Sequence, residues 1–207
     1  MKTILSKYIF LTILLLNLSI NIIGNDTLSY SLSFNYNRDL SDTYGKGDLF
    51  SGEFVISRSW YGASINYGHF QSHSIFIYKI LVEEINKTIE IQFDEVSYMS
   101  CSSLSLLILP IQKKWIIVDL NFGIAFNKAT SSRFNKVDYS YNLNEDKFTY
   151  LYKDYKLIKR NHFGYQAGFD VSIFITKKFG LQLNSRMQHL SNGGSFFFAG
   201  SGVCFRF

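Results

Sequence analysis

Near the C-terminus the stretch RMQHLSNGG covers residues 186–194 and puts His189 two residues before Ser191, with Asn192 next. An imidazole can act as a base, the hydroxyl it activates as a nucleophile, and a side-chain amide as an oxyanion donor. The same residues also suit a strand end followed by a polar turn, with Gly193 and Gly194 completing it. The other chemistry-bearing residues are scattered charges: Glu53, Asp119, Asp170, Arg186 and Arg206. No CxxC, HExxH, GxxxxGK or GxGxxG pattern is present, so metal and nucleotide sites find no support and no cofactor is expected.

Which reading applies depends on the elements that carry these residues. LSYSLSFNYN puts Leu28, Tyr30, Leu32, Phe34 and Tyr36 on one face and Ser29, Ser31, Ser33, Asn35 and Asn37 on the other. Period two over ten residues is a strand with one apolar face. Phe50, Phe54, Ile56 and Trp60 alternate with Ser51, Glu53, Ser57 and Ser59. Tyr61, Ala63, Ile65 and Tyr67 alternate with Ser64 and Asn66. A less regular segment covers about 88–111. Ile116 to Phe126 alternates with Asp119, Asn121 and Gly123, and Phe163 to Ile175 with Gln166, Gly168 and Asp170. Leu181, Leu183 and Met187 alternate with Gln182, Asn184, Arg186 and Gln188. Phe197, Ala199, Val203, Phe205 and Phe207 share one face of the last segment. Eight antiparallel strands are predicted.

The connections alternate in length. Those at 38–49, about 70–90, 127–161 and 190–195 are long or polar, while those near Trp60–Gly62, Gln112–Lys114 and Thr176–Lys178 are tight. Short turns on one side and long loops on the other predict an all-β, up-and-down transmembrane barrel with extracellular loops. The rival is a secreted soluble barrel holding a ligand inside. The polar face is rich in Ser, Asn, Gln and Gly, where a soluble exterior would carry many more Lys and Glu. Two of the long connections can be hairpins, one turning near Glu84–Lys87 and one at Asn144–Asp146. A short helix is the alternative at the first, because Ile77, Leu81 and Ile85 share helical spacing. The second is rich in Tyr and Lys, which suits lipopolysaccharide phosphates or a surface ligand; a plain solvated loop is the other reading.

Residues 1–24 read as a signal peptide: Lys2 and Lys7, an apolar run from Tyr8 to Ile23, then Gly24. An N-terminal membrane helix is the alternative. Residues 25–207 would then form the barrel. Loss of Lys2 and Lys7 takes the net charge from +5 to +3, a weak basic bias that does not predict nucleic-acid binding. Cys101 and Cys204 make no disulfide scaffold. They are expected to stay unbonded, since about 30 Å of strand separates them and a bridge needs Cα atoms within about 7 Å. An eight-stranded barrel is just wide enough for its own side chains, so the scattered charges are expected to pair inside and a diffusion pore is not expected.

The segment Arg186, His189, Ser191, Asn192 resembles the Arg-x-x-His-x-Ser-Asn motif of the lipid A deacylases, eight-stranded outer-membrane barrels that hydrolyse an ester-linked acyl chain of lipopolysaccharide. That resemblance implies His189 as base and Ser191 as nucleophile. It stops after Asn192: GGSFFFAGSGVCFRF holds no acidic residue to orient the imidazole. More broadly, SLSLLILPIQKKWIIVDLNFGIAF looks like the central strand-turn-strand of Gram-negative outer-membrane barrels, and the terminal Phe207 resembles the signal read by their assembly machinery. These likenesses imply an outer-membrane location with lipids, lipopolysaccharide and the assembly machinery as partners. The expected function is non-enzymatic: surface-ligand binding or envelope support through the outer loops. The alternative is a lipid A deacylase-like esterase using His189, Ser191 and Asn192.

Overall fold

A computed structural model describes residues 28–41, 46–82, 87–142 and 144–207. Among them are eight strands: β1 (Leu28–Asp39), β2 (Gly47–Arg58), β3 (Tyr61–Val82), β4 (Lys87–Gln112), β5 (Ile116–Asn142), β6 (Lys147–Phe174), β7 (Phe179–Leu190) and β8 (Gly194–Arg206). Each pairs antiparallel with its neighbour in sequence, and β8 closes onto β1, giving one closed barrel. Closure leaves no edge with unpaired backbone groups, which is what allows a sheet to stand in hydrocarbon. The expected signal peptide, residues 1–24, lies outside the described residues.

Alternation sets the wall. Phe34 and Tyr36 stand outward on β1, while Ser33, Asn35, Asn37 and Asp39 are buried in the lumen. The same holds around the barrel: Ile65, Leu104, Phe122, Ile124, Phe163, Leu181 and Leu183 face out, and Ser64, Ser103, Asn121, Gln166 and Gln182 face in. An apolar exterior around a polar interior inverts a soluble barrel, and it disposes of the soluble alternative.

The lumen is filled in two zones. Towards the mouth, Leu49, Phe70, Met99, Leu190, Phe196 and Phe198 form an apolar plug. Below it runs a chain of amides: Asn127 donates to Gln188 (3.0 Å), Gln188 to Gln166 (3.0 Å), and Gln166 to Ser105 (2.6 Å). Where β5 and β6 press together, Gly168 leaves room for Asn121; a Cβ there would lie 2.5 Å from the Asn121 Oδ1. Cys101 and Cys204 are both free and buried.

Two of the long connections take the hairpin form that was one of their two readings, not the helix or the plain loop. Segments 70–90 and 127–161 are largely strand: β3 to β6 run 22, 26, 27 and 28 residues, whereas β1, β2 and β7 have 12 each. The helix considered around Ile77 and Leu81 does not form, because both lie in β3 and pair with Gln92 and Thr88. Helical spacing in a short apolar run was outweighed by a ladder already under way. The two hairpins rise from one side of the barrel. Ile80, Ile91 and Phe93 pack against Phe134, Val137 and Phe148 between them. Register shows a reversal here. Phe93 lies on the face continuous with the lumen, and Phe134 on the face continuous with the outer wall. The bulge between Phe134 and Lys136 sits at the contact, and bulges re-aim the side chains of a strand.

Candidate functional site

His189 lies on the outer wall beside Tyr165, its pairing partner on β6, with ring centroids 5.2 Å apart. Its Nδ1 is 2.8 Å from the hydroxyl of Ser195, directly opposite on β8. Ser191 opens the turn from β7 to β8. Its hydroxyl donates to the Phe163 carbonyl (2.7 Å), which also accepts from the Ser191 N–H (2.8 Å). Asn192 takes a left-handed φ of 57°, as a tight turn requires. The base is thus held by a serine, and the Ser191 hydroxyl is committed to a backbone oxygen. This is the geometry of a closed turn. An attack by Ser191 would first require its hydroxyl to leave that carbonyl and reach His189.

Of the charges expected in the lumen, four gather. Arg186 Nη2 meets Glu53 Oε2 at 3.0 Å, with both side chains buried. Asp119 and Asp170 stand opposite each other in register, and Asn121 donates to Asp170 (3.1 Å). Arg206 does not join them. Its guanidinium lies 3.8 Å from the Phe174 ring centroid near the tight-turn end, a cation–π contact in place of an ion pair.

Above the wall, Lys87 donates to both carboxylate oxygens of Asp146 (2.9 and 2.7 Å), joining the tips of the two hairpins. Tyr141 also donates to Asp146. The Lys87 ammonium first, and the Tyr141 hydroxyl next, hold the Asp146 carboxyl below the usual carboxylate range. Lys153 reaches across to the Gln92 carbonyl (2.6 Å). The opposite face of the β5–β6 hairpin is open. Tyr150 and Tyr152 are about half exposed there. On the same face Lys156 stands directly opposite Arg133, with Arg160 further down β6. Asp138 and Asp154 lie on this face as well, the first paired with Lys136 (3.0 Å) and the second accepting from the Asn135 amide (2.7 Å).

No protein-family model matches the chain, and no curated protein matches it. Solved structures do. The N-terminal β-barrel domain of Pseudomonas aeruginosa OprF superposes with a TM-score of 0.51 at 14% identity, covering 88% of this chain and 100% of that one. OprG of the same organism gives 0.54 at 6% identity, covering 89% and 98%. Ail of Yersinia pestis, in complex with the heparin analogue sucrose octasulfate, gives 0.50 at 10% identity, covering 89% and 100%. The fold is that of the small outer-membrane β-barrels. On such a barrel the tight turns face the periplasm and the long hairpins face outside.

For this barrel, sequence reasoning missed three features. Ser195 as the partner of His189 needed the β7–β8 register. The apolar plug was encoded by Phe196 and Phe198 flanking the outward Phe197, and parity could have found it. The joined hairpins rest on contacts between distant strands, for which the sequence carries no local signal.

Proposed function

We propose that this protein is a non-enzymatic outer-membrane barrel that binds an anionic surface ligand, such as an acidic glycan, with its projecting β5–β6 hairpin. The single observation that supports this best is the open face bearing Arg133, Lys156 and Arg160 beside Tyr150 and Tyr152. Cations bind sulfate, phosphate or carboxylate groups, and exposed tyrosines supply flat surfaces for sugar rings. The packing of Phe93 on Phe134 supports the face from behind and lowers the ordering cost of binding. Sucrose octasulfate is a suitable first probe. Titration onto the purified barrel should give saturable, salt-sensitive binding that weakens at least ten-fold in Lys156→Glu/Arg160→Glu. Equal binding by the variant would refute the assignment.

The esterase reading is retained as the second, because His189 sits on the lipid-facing wall with its Nδ1 hydrogen-bonded. Mass spectrometry of lipid A from expressing cells tests it. We expect acylation to be the same with wild type and Ser191→Ala. Loss of an ester-linked chain in the wild type alone would establish the esterase.

A further inference from the structure

The outer wall changes character abruptly on the side where the hairpins rise. Following register across β2 to β6, one outward row reads Phe54, Ile65, Leu104, Ile124, Tyr165. The row above it reads Gly52, Tyr67, Ser102, Phe126, Phe163. Both are apolar apart from one serine. The next row towards the outside is Phe50, His69, Ser100, Lys128, Asn161, and the one after it Asp48, Gln71, Tyr98, Thr130, Lys159. Two residues along each strand therefore separate a hydrocarbon surface from a polar, cationic one. The two upper rows surround a concavity of about 620 Å³, which Lys46 also lines.

We propose that this concavity is a binding site for the phosphorylated headgroup of a lipid in the outer leaflet. Lys46 and Lys128 supply charge within it and Lys159 stands at its border. Ser100, Thr130, Gln71 and His69 supply hydrogen-bond donors. The carboxylate inside it, Asp48, is engaged by the Tyr36 hydroxyl (2.8 Å). His73 at the upper margin lies 3.6 Å from Asp94. The balance within the cavity is cationic, which selects an anion. The rows beneath select what that anion is attached to, since a ligand seated here rests its lower part on Tyr67, Phe126 and Phe163. Acyl chains fit that surface and a free sugar acid does not. The volume suits a headgroup rather than a single inorganic ion.

The test uses the full-length barrel purified in nanodiscs containing lipid A, with an otherwise identical preparation of enzymatically dephosphorylated lipid A. Native mass spectrometry counts lipid retained after release into detergent. Wild type should retain the phosphorylated form at least five-fold better than the dephosphorylated one. Lys46→Glu/Lys128→Glu should lose that preference. Lys177→Glu makes the same kind of charge change in the tight turn between β6 and β7, at the opposite end of the barrel, and should keep it. Heat-modifiable gel mobility confirms folding; should the double variant not fold, Lys128→Gln is read in the same way, with a smaller loss. Equal retention of both lipids by wild type, or undiminished preference in a folded variant, would overturn the proposal.

Discussion

Arg186 is the lumen residue on which most charge depends. It pairs with Glu53 and lies in the field of Asp119 and Asp170, so three carboxylates share one guanidinium. Arg186→Ala would leave them uncompensated in a closed interior. Breaking a buried pair from one side costs about 3–5 kcal/mol. Asp170→Asn leaves the Arg186–Glu53 ion pair in place and retains an acceptor for Asn121, so it should cost far less. Urea unfolding in lipid vesicles measures both, and equal losses would contradict the charge balance. The inward placement of Glu53, Asp170 and Arg186 was readable from sequence, because a strand alternates with period two and their neighbours are apolar. The aromatic partner of Arg206 was not, since an ion pair and a ring contact look alike until Phe174 is seen to lie beside it. The hydrogen bonds of His189 and Ser191 were equally hidden: spacing brings the two residues close but says nothing of Ser195 or the Phe163 carbonyl.

The hairpins invite tests at the level of elements. Phe93 and Phe134, 4.0 Å apart between ring centroids, are central to their junction. Phe134→Ala should expose the arms to limited proteolysis while leaving the barrel resistant, because the wall below has its own ladder. The Lys87–Asp146 clasp adds a pH dependence. The Asp146 carboxyl is held low in the folded arm, so its contribution is complete above the ordinary aspartate value of about 3.9 and is lost as pH falls through the depressed one. Resonance energy transfer between dyes on the two tips should hold steady from pH 7 to about pH 4 and fall below it. A fall centred near neutrality would contradict the clasp. Strand identity was legible wherever one face met lipid and the other the lumen. Above the membrane that contrast fades. Segments such as KVDYSYNLNEDKF then look like polar loop, although backbone pairing continues through Asn142 and Lys147.

For the whole molecule, the plug of Leu49, Phe70, Met99, Leu190, Phe196 and Phe198 closes the mouth side of the lumen. Planar bilayers containing the purified protein should show no steady ion conductance; open channels would mean that the plug is not as described. Phe207 is exposed, and its N–H bonds to the Tyr30 carbonyl (2.9 Å), which ties the last residue to the start of β1. Deleting Phe207 should lower the yield of folded barrel in the outer membrane, read as heat-modifiable protein in membrane fractions. The barrel as a whole was legible because strand count, turn asymmetry and an apolar face all agreed, whereas the height of the arms depended on pairings no local pattern marks.

The long ladder of the β5–β6 hairpin also has a mechanical side. It joins the same two strands from its tip at Asn142 and Lys147 to Ile116 and Ile173 at the far end of the wall, interrupted by bulges between Phe134 and Lys136 and between Ser140 and Tyr141. A tether pulling on the tip away from the cell loads both strands along their length. That load passes to β4 through Val96–Gln112 and to β7 through Phe179–Leu190 as shear, with the ladder bonds stressed together instead of one after another. An attachment at this hairpin would yield in its bond to the ligand before the barrel gave way.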